Sequence, residues 1–133
     1  MFQTLPDGEQ ALIDKLRQAF PNLAVSTREP PSPTSAWVRV FRLAGEDQLR
    51  GMTGAETYAI ESWHQNRESL AVKQANDLRT RILQWGFNRG QKFTNGDVSL
   101  YIRSTGATVP VNLPDPDGRA RYTFNATFVL RHH

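Results

Sequence analysis

The stretch Leu113 to His133, LPDPDGRARYTFNATFVLRHH, decides how the chain is read. It opens with a stiff turn. Pro114 and Pro116 fix φ, Asp115 and Asp117 carry carboxylates that bond nearby backbone N–H groups, and Gly118 accepts positive φ. A long alternation follows. Ala120, Tyr122, Phe124, Ala126, Phe128 and Leu130 fall on one face. Arg119, Arg121, Thr123, Asn125, Thr127 and Arg131 dominate the other, with Val129 the exception. Period-2 patterning of this length predicts a strand with one face on a core. Its arginine- and threonine-rich face is left for water or another protein.

Shorter strands precede it. Asp97 to Thr105 places Val98, Leu100 and Ile102 on one face and Tyr101 on the other, and Gly106 to Asn112 leads into the turn. Trp37 to Leu43 has Val38 and Val40 on one side and Trp37, Phe41 and Leu43 on the other. A strand apolar on both faces has both partly covered; one cover is the domain's own core, and the other is open to a partner. Ala55 to His64 puts Tyr58 and Ile60 opposite Ala59 and Trp63. The polar stretch Ala44 to Gly54 between these two predicts a long loop at the tip of an extended hairpin. A short strand is expected at Leu23 to Thr27. The proline-rich run Arg28 to Ser35 reads as a stiff surface connector, and Gly90 to Gly96 as a polar loop.

Two helices complete the order. Leu12, Ile13, Leu16, Ala19 and Phe20 form an apolar stripe over Glu9 to Phe20, with Asp7 as N-cap and Pro21-Asn22 as the stop. Ala71, Ala75, Leu78, Ile82 and Trp85 do the same over Arg67 to Trp85, where Arg79, Arg81 and then Gly86 mark a helix end. The expected fold class is α+β, a mainly antiparallel sheet with two helices packed on one face. Its 133 residues suit one domain, 1–133.

Composition narrows the function. With no cysteine, disulfides, thiolate metal sites and a cysteine nucleophile are excluded. No apolar run reaches membrane-spanning length. The N-terminus MFQTLPDGEQ lacks the basic and apolar regions of a secretory signal, so Asn125-Ala126-Thr127 reads as strand sequence, not a glycosylation site. Net charge is +3, with arginines spread along the chain and no basic block, which is weak evidence for nucleic-acid binding. His132 and His133 are set aside.

Chemistry-bearing patterns are sparse. No phosphate-cradling glycine loop is present. His64 stands near Glu61 and Glu68 in sequence but lacks a nucleophile or second ligand, and reads as a strand-end polar residue. Asp115 and Asp117 read as turn chemistry, since calcium wants more oxygen ligands. Arginines lie among aromatics on the strands (Arg39, Arg42, Arg103, Arg119, Arg121 and Arg131 with Trp37, Phe41, Tyr101 and Tyr122). A single-strand platform needs both on one surface, whereas the aromatics of the last strand share its inward face and its arginines point out. No catalytic residue, cofactor or metal is expected.

The order of motifs resembles the tail terminator (tail completion) proteins of long-tailed bacteriophages, particularly those of actinobacterial phages. Four features carry the resemblance. A short first helix ends near an LxVST motif, here Leu23-Ala24-Val25-Ser26-Thr27. A proline-rich connector precedes a VRV strand, here Val38-Arg39-Val40. A long loop is followed by a strand resembling TxxVECWA, here Thr57 to His64, and then a helix. The end, LPDPDGRARYTFNATFVLR, is close to the family's proline-rich turn and final strand. Ser62 and His64 depart from the cysteine and small residue common there, which touches packing more than assignment. The resemblance covers nearly the whole chain.

The resemblance implies a virion structural protein, not an enzyme. Such proteins form a homo-hexameric ring on the last tail-tube ring, stop tube growth and present a surface to the head connector. The expected partners are further copies of the chain, the major tail tube protein and the head-tail connector or neck protein. DNA passes through without specific binding, and no membrane is involved. The expected location is the tail or neck of the virion, assembled in the host bacterial cytoplasm. Interface residues are expected at Arg42, Glu46, Asp47, Arg50 and Met52 in one arm, and at Asp115, Asp117, Arg119 and Arg121 in the other; Ser26 to Ser35 and Gly86 to Gly96 are further arms. The alternatives are another head-to-tail joining protein, a small nucleic-acid-binding module, or a small enzyme centred on His64.

Overall fold

The computed structural model describes the backbone of residues 8–28, 36–47, 53–87, 91–95 and 98–132, and side chains within 9–28, 36–43, 55–86 and 102–129. The elements run α1 (Gly8–Ala19), β1 (Ala24–Ser26), β2 (Ala36–Asp47), β3 (Thr53–His64), α2 (Glu68–Phe87), β4 (Gln91–Asn95), β5 (Val98–Ala107), β6 (Val111–Asn112) and β7 (Ala120–His132). The strands form one sheet in the order β1-β2-β3-β7-β5-β4, with β6 also against β7. Only β1 and β2 run parallel; the other pairs are antiparallel. The fold is α+β.

Both helices cover the same face of the sheet. Cross-strand rows show why the parity works. Val40, Ile60 and Phe124 stand side by side on β2, β3 and β7, as do Val38, Ser62 and Tyr122. Val38, Val40, Tyr58, Ile60, Phe124, Ala126 and Phe128 join Leu12, Ile13 and Leu16 of α1 and Leu78, Ile82 and Trp85 of α2 in one buried cluster. Each large side chain removed from water there is worth about 1.5–3 kcal/mol. Ser62 sits among these apolar groups because it is satisfied: its Oγ donates to the Ala71 carbonyl at 2.8 Å and accepts from Gln74 Nε2 at 2.9 Å. Arg17 ties α1 to the sheet through the Val25 carbonyl at 2.9 Å.

Several expectations change. The stretch Ala44 to Gly54 is not one long loop. Strand pairing continues through Ala44↔Thr57 to Asp47↔Gly54, so Glu46 and Asp47 are strand residues. Their neighbourhood imposes this: β7 runs on to pair Thr53 with Arg131, giving β3 and then β2 a template that weak local propensity hides. A bulge between Arg42 and Ala44 breaks the alternation, which is why Leu43 does not share the face of Trp37 and Phe41 in a regular way. Gln91–Asn95, within an expected loop, is strand β4. Asp7, Arg50 and Met52 lie outside the described residues, as does most of the proline-rich connector.

The helix end at Gly86 also moves. α2 continues to Phe87, so Gly86 is inside the helix. A Cβ on Gly86 would stand 2.7 Å from the Ser104 carbonyl oxygen. The glycine is there because α2 lies against the backbone of β5. Arg79 and Arg81 then do not complement a helix terminus. Arg79 donates to the Thr108 carbonyl at 2.8 Å and the Ala107 carbonyl at 3.1 Å, and Arg81 lies 5.9 Å from the Phe20 ring centroid.

Candidate interaction surface on the open face of the sheet

The final turn is built as its residues require. Gly118 N–H donates to the Asp115 carbonyl at 2.9 Å, with Pro116 and Asp117 between them. This is the residue order that tight β-turns favour, and Gly118 takes φ of 80°. Leu113 N–H donates to the Arg121 carbonyl at 2.9 Å. Arg121 returns the contact from its side chain, donating to the Leu113 carbonyl at 3.0 Å and the Pro114 carbonyl at 3.2 Å. The segment is thus strapped to the start of β7.

The strap lies on the sheet face that the helices leave open, beside a tryptophan pair. Trp37 and Trp63 are cross-strand partners, and their rings stack with centroids 5.5 Å apart. Arg119 stands 4.9 Å from the Trp63 centroid and 5.5 Å from that of Trp37, and Arg121 stands 4.6 Å from Trp63. Such cation–π contacts contribute about 0.5–2 kcal/mol each. Trp37 is only 1% exposed and Trp63 only 7%, so both are covered within the chain and not by a partner. Among the described residues, the indole N–H of Trp63 has no hydrogen-bond partner.

Acid partners neutralise these arginines. Asp115 Oδ2 accepts from Arg119 Nε at 2.9 Å, and Asp117 Oδ2 is 3.9 Å from Arg119 Nη2. The bonded Arg119 guanidinium holds the Asp115 carboxyl below its ordinary range. Buried Glu61 lies 3.4 Å from Arg39 Nη1 and 4.0 Å from Arg121 Nη1. Arg39 also donates to the Thr27 carbonyl at 3.1 Å and stacks 4.3 Å from the Phe41 centroid.

The expected interface residues fall into separate places. Asp115, Asp117, Arg119 and Arg121 are brought together in the strap. Arg42 is at the opposite side of the sheet, where its backbone N–H donates to Glu9 Oε2 at 3.1 Å and its Nη1 to Glu56 Oε1 at 3.3 Å. The Tyr58 hydroxyl donates to the other Glu56 oxygen. Glu46 and Asp47 are further along the same strand.

The structure also revises the platform reading. Within β7 the parity holds, with Phe124 and Phe128 buried on the helix side and Arg121 in the open-face row of Trp37 and Trp63. Yet the tryptophans of β2 and β3 join Arg39, Arg119 and Arg121 on one face. Their coverage leaves no ring face for a base to stack on. This grouping was missed because it depends on the Trp37↔Trp63 register, which neither strand's own pattern specifies.

His64 acts structurally. Its Nδ1 accepts the backbone N–H groups of Asn66 at 3.3 Å and Arg67 at 3.1 Å, just before α2. Glu61 is three residues away, on the opposite sheet face, and Glu68 accepts from the Tyr122 hydroxyl at 2.6 Å. The three do not converge. That bond raises the Tyr122 pKa above its ordinary value. Among the described residues, no group of three or more His, Asp or Glu side chains is placed to hold a metal ion, and no helix is long and apolar enough to cross a membrane. A cleft of about 510 Å³ lies between the end of α1 and the first half of α2, lined by Phe20, Leu23, Leu70, Lys73 and Leu78 among others.

Sequence reasoning also missed an apolar margin. Val109, Val111 and Leu113 recur at a spacing of two along the β6 segment and are 68%, 58% and 38% exposed. Leu43, at the β2 bulge, is 51% exposed. Singly exposed apolar residues are ordinary, but three in sequence on a sheet margin suit a contact surface. Comparison of the chain with protein-family models and with curated proteins finds no match.

Proposed function

We propose that the chain is a tail terminator of a long-tailed bacteriophage, a structural protein that caps the last tail-tube ring as a homo-hexameric ring and joins the tail to the head connector. The supporting sequence argument is the order of the four motifs that ends in LPDPDGRARYTFNATFVLR. The structural observation that carries the reading is the exposed run Val109, Val111 and Leu113 on one side of the sheet, with Leu43 exposed on the other. A closed head-to-tail ring needs two unlike surfaces on each copy, and this chain has an apolar run on one margin and a single exposed leucine on the other. Assembly would cover surface that a lone subunit leaves in water. The partners are then other copies, the tube protein and the connector, and the site of action is the virion tail or neck after assembly in the host cytoplasm.

DNA would pass through such a ring without specific binding. The three arginines of the open face are engaged with Glu61, Asp115 and backbone carbonyls, which favours positioning the strap over gripping phosphates. Another head-to-tail joining protein is the nearest rival, and gene order separates the two: a terminator gene lies just before the major tail-tube gene. Native mass spectrometry with and without added tube protein tests the ring. Hexamers in either condition support it, and monomers in both refute it.

A further inference from the structure

The cleft between α1 and α2 carries two polar groups that the fold itself leaves unused. His64 lines it and is only 8% exposed; Gln74 lines it too. The His64 Nδ1 accepts two backbone N–H groups, so the ring proton sits on Nε2. Gln74 Nε2 donates to the carbonyls of Trp37 at 3.2 Å and Trp63 at 3.4 Å, which can only accept, so the orientation of its amide is fixed. Among the described residues, neither the His64 Nε2–H nor the Gln74 Oε1 has a partner. Phe20, Leu23, Leu70 and Leu78 supply apolar wall, and Leu70 is 40% exposed. One donor and one acceptor in an apolar cleft suit a peptide group flanked by aliphatic side chains.

β6 presents that chemistry. Leu113 N–H donates to the Arg121 carbonyl, so the alternation of an antiparallel pair turns the Asn112 N–H and C=O away from β7. Among the described residues, no strand lies on that side. Exposed Val111 and Leu113 flank Asn112. Resting on the ring reading, we propose that the β6 edge of one copy docks in the α1–α2 cleft of the next. His64 Nε2–H donates to the Asn112 carbonyl, the Asn112 N–H donates to Gln74 Oε1, and Val111 and Leu113 pack against Leu70 and its apolar neighbours.

The two surfaces sit where a head-to-tail contact needs them. The cleft borders β1 to β3 through Leu23, Ala36 and His64, whereas β6 lies beyond β7. Ala36 and His64 share the row that ends at Ala120, and Asn112 pairs with Tyr122, two residues further along β7. That offset is about 7 Å along the strands, which a modest tilt between side-by-side copies takes up. The surfaces are unlike, so one contact can repeat from copy to copy until the ring closes. Pro110 and Pro114 have no N–H, so β6 cannot extend the contact into an open-ended ladder.

Three substitutions and a cross-link test it, with tube protein present throughout. Val111→Ser and Leu70→Ser each raise the concentration needed for rings by about tenfold or more, the worth of one aliphatic side chain withdrawn from water. Asn112→Pro does the same by removing one N–H, and it leaves the β7 pairing intact because that N–H faces outward. All three keep the parent's Tm, since the groups they change are exposed in a single copy. In the cysteine-free chain, Val111→Cys mixed with Leu70→Cys gives disulfide-linked pairs, and neither variant alone does. Rings that tolerate any of the three substitutions, or that form without cross-linking in the mixture, overturn this docking and leave the ring reading standing. A parent chain that never assembles overturns the ring reading and this inference with it.

Discussion

Gly86→Ala sets two known effects against each other. Inside a helix, alanine is favoured over glycine by at most about 1 kcal/mol, and less near an end. Gly86 is the penultimate residue of α2. Against that gain stands the contact at 2.7 Å between the new Cβ and the Ser104 carbonyl oxygen. The obstructing atom is backbone in the middle of β5, so it cannot rotate away as a side chain end would. Moving α2 outward loosens Trp85 and Ile82, both buried against the sheet. Overpacking of this kind costs about 1–3 kcal/mol. The expected net effect is destabilisation by about 1–2 kcal/mol, or a fall in Tm of roughly 4–7 °C for a chain of this size. Thermal and urea unfolding followed by circular dichroism measure it. A variant as stable as the parent, or more stable, refutes the close approach of α2 to β5.

Two further outcomes follow from the core and the strap. Phe124→Ala removes the β7 member of the row Val40–Ile60–Phe124 and is expected to cost about 3–5 kcal/mol, read as a lower urea midpoint at unchanged slope; a loss under 1 kcal/mol contradicts the placement. Asp115 has a lowered folded pKa, so its contribution is present above the unfolded value of about 3.9 and is lost as pH falls through the folded value. Tryptophan emission should therefore change below about pH 4 as the strap loosens over Trp63, and Asp115→Asn should remove that step; a step unchanged in the variant contradicts it.

Parity was the legible part of the fold. The alternation in Ala120 to Phe128 placed Phe124, Ala126 and Phe128 inward, and the stripe of α2 was read residue for residue, because burial periodicity survives any tertiary context. Element ends were less legible. Ala44 to Asp47 and Gln91 to Asn95 have weak strand propensity, and pairing with neighbours holds them extended. Gly86 read as a helix stop because close packing and capping leave the same residue in a sequence. At the candidate surface, Asp115 to Arg121 was recognisable as a turn, but its contact with the tryptophan pair was not. That contact needs the register of β2, β3 and β7 together. In the sequence the apolar margin at Val109 to Leu113 looks like a connector, since only exposure distinguishes it from strand sequence turned inward.

Electron micrographs of the purified protein mixed with tail-tube protein bear most directly on the central claim. The expected images show a six-fold ring with a central hole, seated on tube ends that no longer lengthen. Tubes that keep growing with bare ends, beside protein that remains monomeric at every concentration, would contradict it.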